Sequence, residues 1–190
     1  MKRNFRLAGL CAGLLVAGTL GGCAAVVVGS AVGTAMVVTD RRTAGTQLED
    51  QNIELKALTR VRESVGDRGH VNTTSYNRLV LLTGEVQTDT DRSAVEQAVG
   101  RIENVRSIVN ELGVMGASSL TSRSNDTILT SKVKASLIDA KDLQAGAIKV
   151  VTERAVVYLM GRVTEREGNR ATDLARGVPG VQKVVKVFEN

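Results

Sequence analysis

Three spacings of apolar residues divide the chain. Residues 7–20 form an unbroken run of apolar and small side chains behind Lys2, Arg3 and Arg6. A run of roughly 14 residues is too short for a comfortable membrane span, and a basic head followed by such a run is the layout of a secretory signal peptide. A second apolar run, AAVVVGSAVGTAMVV over residues 24–38, carries Gly29 and Gly33 four positions apart, a spacing that permits close helix packing in a membrane. It is also short of a span. It reads as a membrane-proximal tether that ends where Asp40, Arg41 and Arg42 return the chain to water. Further on, the spacing becomes helical: Ile53, Ala57 and Val61 fall on one side of a helix.

That helical pattern opens a unit that occurs twice. Leu129, Val133 and Leu137 repeat the first spacing. Residues 71–74 and 79–86 predict two short strands joined by a tight turn at 75–78, and 148–151 and 156–163 repeat them around a turn at Glu153 and Arg154. A second helix comes next in each copy. Thr164 and Glu167 predict a capping box at its start, and Thr88 with Asp91 is the poorer counterpart. A last strand closes each unit, over 105–112 and 181–188, with Val178, Pro179 and Gly180 turning into the second. Gly84 and Gly161 are expected to end the middle strands. The fold class is therefore α+β. It comprises two tandem αββαβ sandwiches, each a small three-stranded mixed sheet covered by two helices, with a right-handed crossover to the last strand. The expected boundaries are a signal peptide at 1–22, a tether at 23–45, a first domain at 46–114, a flexible Gly/Ser/Thr-rich linker at 115–123 and a second domain at 124–190.

Composition removes several kinds of chemistry. Aromatics are 2% of the chain, so the cores must be built from Val, Leu, Ile and Ala. Both cysteines, Cys11 and Cys23, precede the repeats, and His70 is the one histidine. No disulfide can staple the body, and so few thiols and imidazoles argue against zinc, thiol catalysis or a serine triad; no metal and no cofactor is expected. His70 reads as a turn or solvent residue. The acidic pairs Asp139/Asp142, Asp89/Asp91 and Glu165/Glu167 sit at helix ends, where acids offset the dipole or solvate a surface. The net charge of +5 includes the three cations of the leader. Without them 22 basic residues face 20 acidic ones, which does not indicate a nucleic-acid binder.

The residues before Cys23 (Leu20, Gly21, Gly22) resemble the lipobox of bacterial lipoproteins. The resemblance implies cleavage before Cys23, acylation of its thiol and new amine, and, with Ala24 next, sorting to the periplasmic face of the outer membrane. Three acyl chains make such an anchor effectively permanent. The strand-Gly-x-Val step, the capped helix and the Val-x-x-Val strand of each repeat resemble the BON domain. Two such domains behind a lipobox are similar to the dual BON-domain lipoproteins of Gram-negative outer membranes. Residues 39–42, 45–47, 124–127 and 163–167 carry the same likeness, which spans about residues 23–190. The resemblance implies a non-enzymatic role in keeping the outer membrane intact, and an anionic-phospholipid site on the first helix of the second domain. The family often has tryptophan where Ile128 stands here; isoleucine inserts into an interface but cannot hydrogen-bond a headgroup.

The residues support that expectation separately. Residues 46–114 hold 8 basic and 11 acidic side chains, and residues 124–190 hold 11 and 8, so only the second repeat suits an anionic surface. A helix expected over 126–140, with Leu129, Val133 and Leu137 inward, turns Ile128, Ser131, Lys134, Ala135 and Ile138 outward with Lys132 at the flank. Two isoleucines beside lysines on an outer face are the mark of an interfacial helix, unless they pack on the linker or the first domain. Leu55 and Leu58 also lie off their helix's core side and are expected to cover another element, such as the second domain. Arg41 and Arg42 read as a membrane-surface charge pair. The expected partners are phosphatidylglycerol or cardiolipin. The competing reading is a protein-interaction module that docks on outer-membrane assembly proteins.

Overall fold

A computed structural model describes residues 40–189. The expected signal peptide at 1–22, Cys23 and residues 24–39 of the expected tether at 23–45 lie outside the described residues. Helix α1 (Ala44–Val65) starts at Thr43, whose hydroxyl accepts from the Thr46 amide. Strands β1 (Gly69–Tyr76) and β2 (Leu79–Val86) form an antiparallel hairpin. Helix α2 (Asp89–Gly100) then carries the chain over to β3 (Ser107–Asn110) and the short β4 (Gly113–Val114), both parallel to β2. The second repeat has the same order: α3 (Leu120–Asp139), β5 (Ile148–Glu153), β6 (Val156–Arg162), α4 (Glu165–Arg176) and β7 (Lys183–Glu189). Its sheet runs β5-β6-β7 with β7 parallel to β6, and that of the first runs β1-β2-β3 with β4 continuing along β2. The expected last strand of the first copy is thus broken into two pieces. The break falls at Glu111 and Leu112, where the Asn110 side chain accepts from the Leu112 amide.

One carboxylate organises each hairpin, and the sequence pattern hid it. Asp50, on the buried side of α1, accepts from the amides of Asn77 and Arg78 at 2.8 Å each and from the Ser75 hydroxyl at 2.7 Å. Asn77 and Arg78 have left-handed backbone (φ 51° and 66°), so a two-residue turn closes the hairpin and its free amides point back to the helix. Asp126 on α3 does the same for Arg154 and Ala155. A buried carboxylate is tolerated there because each of its oxygens accepts at least one hydrogen bond.

Gly84 and Gly161 lie inside β2 and β6 rather than at their ends. A Cβ on Gly84 would sit 2.0 Å from the His70 carbonyl oxygen, and one on Gly161 2.4 Å from that of Ala147. At Gly84 the close approach is to the backbone of β1; at Gly161 it is to Ala147, the last residue of the short 3₁₀ turn that leads into β5.

Each sheet buries both faces. Val80, Leu82 and Val86 of β2 meet Ile53, Ala57, Val61, Val95 and Val99 of the helices, and Val157 and Leu159 of β6 meet Val133, Leu137, Ala171 and Ala175. The alternate residues turn the other way. Leu81, Tyr158, Met160, Tyr76 and Val187 form one shared cluster between the two sheets. The repeats therefore pack sheet to sheet with their helices outward, which explains why β2 and β6 read as nearly continuous apolar runs. Burial between the sheets pushes the Tyr158 phenol up to about 12.

Candidate functional site

The expected lipid-facing residues all lie on α3. This helix starts at Leu120, six residues before its expected start, because the Ser119 hydroxyl accepts from the Ser122 amide and caps it. Serine and threonine in the linker are cap and first turn rather than loop. Leu129, Val133 and Leu137 are buried. Ile128, Ser131, Lys132, Lys134, Ala135 and Ile138 are all exposed and share the outer side. Ile128 and Ile138 keep 52% and 50% of their surface, so neither the linker nor the first domain covers them. The Ser131 hydroxyl donates to the Thr127 carbonyl one turn back, so it is not held in reserve for a ligand. Neither Lys132 nor Lys134 makes an ion pair among the described residues. A shallow cavity opens at each end of this face. One, of about 530 Å³, has Ile128 and Lys132 in its wall; the other, of about 370 Å³, has Lys134 and Ile138.

Asp40, the first described residue, lines that second cavity at the C-terminal end of the exposed face. The two arginines after it are not a loose charge pair. Arg42 stacks over the Tyr76 ring at 4.1 Å and binds Asp40 and Asp50. Arg41 spans Glu167 with bonds of 2.7 and 3.1 Å and reaches the Arg162 carbonyl. They fasten the segment before α1 to both domains. Arg41 and the Thr164 amide hold the Glu167 carboxyl down at about 2. Glu167 also completes the expected capping box of α4.

Two other expectations are corrected. Leu55 and Leu58 are exposed rather than covering the second domain: they keep 66% and 50% of their surface and border a groove beside Val71 and Thr73 of β1, and Leu48 on the same helix keeps 60%. His70 is not a turn residue. It lies in β1 opposite Glu85 of β2, and its Nδ1 is buried 3.6 Å from a Glu85 oxygen. Glu153, at the hairpin end of β5, completes a group whose ligand atoms lie within 4.8 Å of one another. Counting thiols and imidazoles missed this group because two of its three members are carboxylates remote in sequence.

The BON-domain family matches residues 49–116 and 125–189. The chain is 39% identical over 173 residues to the outer membrane lipoprotein DolP of Haemophilus influenzae, covering 90% of this chain and 89% of that protein. It is 29% identical to a 21 kDa hemolysin of Actinobacillus pleuropneumoniae, with 78% of each chain covered. Identity to the osmotically inducible protein Y of Escherichia coli is 27%, over 74% of this chain and 72% of that one. Two family matches on the two structural repeats, and a relative aligned along nearly its whole length, show that this chain belongs to the BON-domain family as a two-domain member of the DolP group.

Proposed function

We propose that this chain is a non-enzymatic, lipid-anchored lipoprotein of the outer membrane, held through Cys23 and facing the periplasm. Its second domain lays the outer side of α3 on anionic phospholipid such as phosphatidylglycerol or cardiolipin. Ile128, Ala135 and Ile138 enter the interface, Lys132 and Lys134 meet the phosphates, and Ser131 lies between them. Through this contact the protein helps to keep the outer membrane intact.

The observation that carries the reading is the exposure of two isoleucines beside two unpaired lysines on one helix face. An outer face with that mixture matches an interface where apolar tails and anionic headgroups meet. The relative's name places that protein in the outer membrane as a lipoprotein. Asp40, which stands only 17 positions after Cys23 in the chain, shares a cavity wall with Ile138. No helix among the described residues is long and apolar enough to cross a membrane.

The test is vesicle binding by the body from residue 40 onward. Vesicles containing phosphatidylglycerol should bind it in a salt-sensitive way, and Ile128→Glu should weaken that at least about tenfold, or about 1.4 kcal/mol. Equal binding to purely zwitterionic vesicles would refute the reading. Stoichiometric crosslinking to one protein that survives the Ile128 change, with no vesicle binding, would favour the docking of outer-membrane assembly proteins instead.

A further inference from the structure

The two repeats meet about a pseudo-twofold relation, and its two ends differ. Tyr76, at the hairpin end of β1, donates from its hydroxyl to the carbonyl of Ala147, just before β5. The counterpart of Tyr76 in the second repeat is Glu153, and that of Ala147 in the first is His70. Glu153 and His70 lie together at the opposite end of the interface, joined by Glu85, whose counterpart is Arg162. One end of the interface is thus closed by the Tyr76 hydrogen bond and by Lys149, whose ammonium donates to Glu54 and to the Ser75 carbonyl across it. The other gathers an imidazole and two carboxylates from three strands and both domains.

We propose that His70, Glu85 and Glu153 form a divalent-cation site of the zinc class that clamps the two domains together. Imidazole nitrogen with carboxylate oxygen is a donor set zinc accepts, and three protein ligands leave a position for water. In a tetrahedral site with bonds of roughly 2.0–2.1 Å the ligand atoms stand about 3.3 Å apart. His70 Nδ1 and the Glu85 oxygen are already 3.6 Å apart, and the whole set lies within 4.8 Å, so modest side-chain rotations close it. His70 Nδ1 is buried with no hydrogen-bond partner and aims at the carboxylates. Buried polar atoms usually have a partner, and a cation supplies one.

The surroundings support the site. The two glutamates are almost wholly buried. Asn72 donates to one Glu153 oxygen and orients it, and the Ser118 amide and Arg154 orient Glu85. Arg154 answers only one of the two negative charges. A cavity of about 260 Å³, with His70, Asn72, Thr152 and Glu153 in its wall, gives access from solvent.

The full chain, without a histidine tag, tests this directly because His70 is its one histidine. On titration with a zinc salt, its single imidazole NMR signal should move and saturate at one equivalent. The Tm should rise with zinc concentration, as it must when a ligand binds only the folded state. His70→Ala and Glu153→Gln should each weaken zinc binding at least tenfold and remove that rise. An imidazole signal that zinc leaves in place, or a zinc-dependent Tm that survives both substitutions, overturns the proposal. If a variant does not fold, the unsubstituted chain's imidazole signal decides.

Discussion

The opening helices of the two repeats share a core spacing and differ on their outer faces. Ile53, Ala57 and Val61 of α1 correspond to Leu129, Val133 and Leu137 of α3, and both sets are buried. Outward, α1 shows Leu48, Leu55 and Leu58 in an acidic repeat, while α3 shows Ile128 and Ile138 beside Lys132 and Lys134. Since α1 also exposes Lys56 and Arg62, what sets α3 apart is the balance of its repeat, 11 basic against 8 acidic side chains where the first repeat has 8 against 11, which favours an anionic surface only in the second.

The largest effects should come from disturbing what the repeats share, graded by how tightly each copy uses it. Gly84→Ala should destabilise by about 3–5 kcal/mol in chemical denaturation, because Gly84 combines a φ of 111° with a Cβ position 2.0 Å from a carbonyl oxygen. Gly161→Ala should cost less, since its clash is milder and no left-handed φ adds to it. Next, Asp50→Ala should cost about 3–4 kcal/mol and Asp126→Ala about 2 kcal/mol. Losing Asp50 leaves two amides, a hydroxyl and one Arg42 nitrogen without their acceptor, whereas losing Asp126 leaves two amides. Equal losses in the two domains would show that the carboxylates do not hold the hairpins as the geometry implies.

Smaller effects separate the outer faces. Leu55→Glu should leave vesicle binding unchanged where Ile128→Glu removes most of it. Lys132→Gln and Lys134→Gln should each weaken binding by about 1 kcal/mol, roughly fivefold, and flatten its salt dependence. Replacing Ile128 with tryptophan should strengthen it.

A pH series tests the fastening of the segment before α1. Burial alone would push the Asp50 carboxyl up, but the Arg78 amide, the Ser75 hydroxyl and Arg42 hold it below the ordinary range. Glu167 falls from 4.5 to about 2. Carboxyls lowered by folding add stability above their unfolded pKa and lose it as pH falls through the folded one. Stability should therefore decline between pH 4.5 and about 2, and Glu167→Gln should make that decline shallower.

The helices, the hairpins and the inward and outward sides of α3 were legible because each rests on a spacing within one segment. The start of α3 was not, since Ser119 serves equally as linker or cap. Hidden more deeply were relations between segments: Asp50 reaching the turn at Asn77, Arg41 reaching Glu167, and His70 meeting Glu153. The one available signal was the apolar run of β2 and β6, too continuous for sheets with a wet face; it announced the packing of sheet on sheet without saying which residues would meet at its ends.

Lipid contact by α3 is best measured by line broadening in the body from residue 40 onward, on vesicles carrying nitroxide-labelled phospholipid. With phosphatidylglycerol present, broadening should concentrate on residues 128–138 and vanish in zwitterionic vesicles. Broadening centred instead on Leu48, Leu55 and Leu58 of α1, or none at all in anionic vesicles, would contradict the assignment of the membrane-facing surface to the second domain.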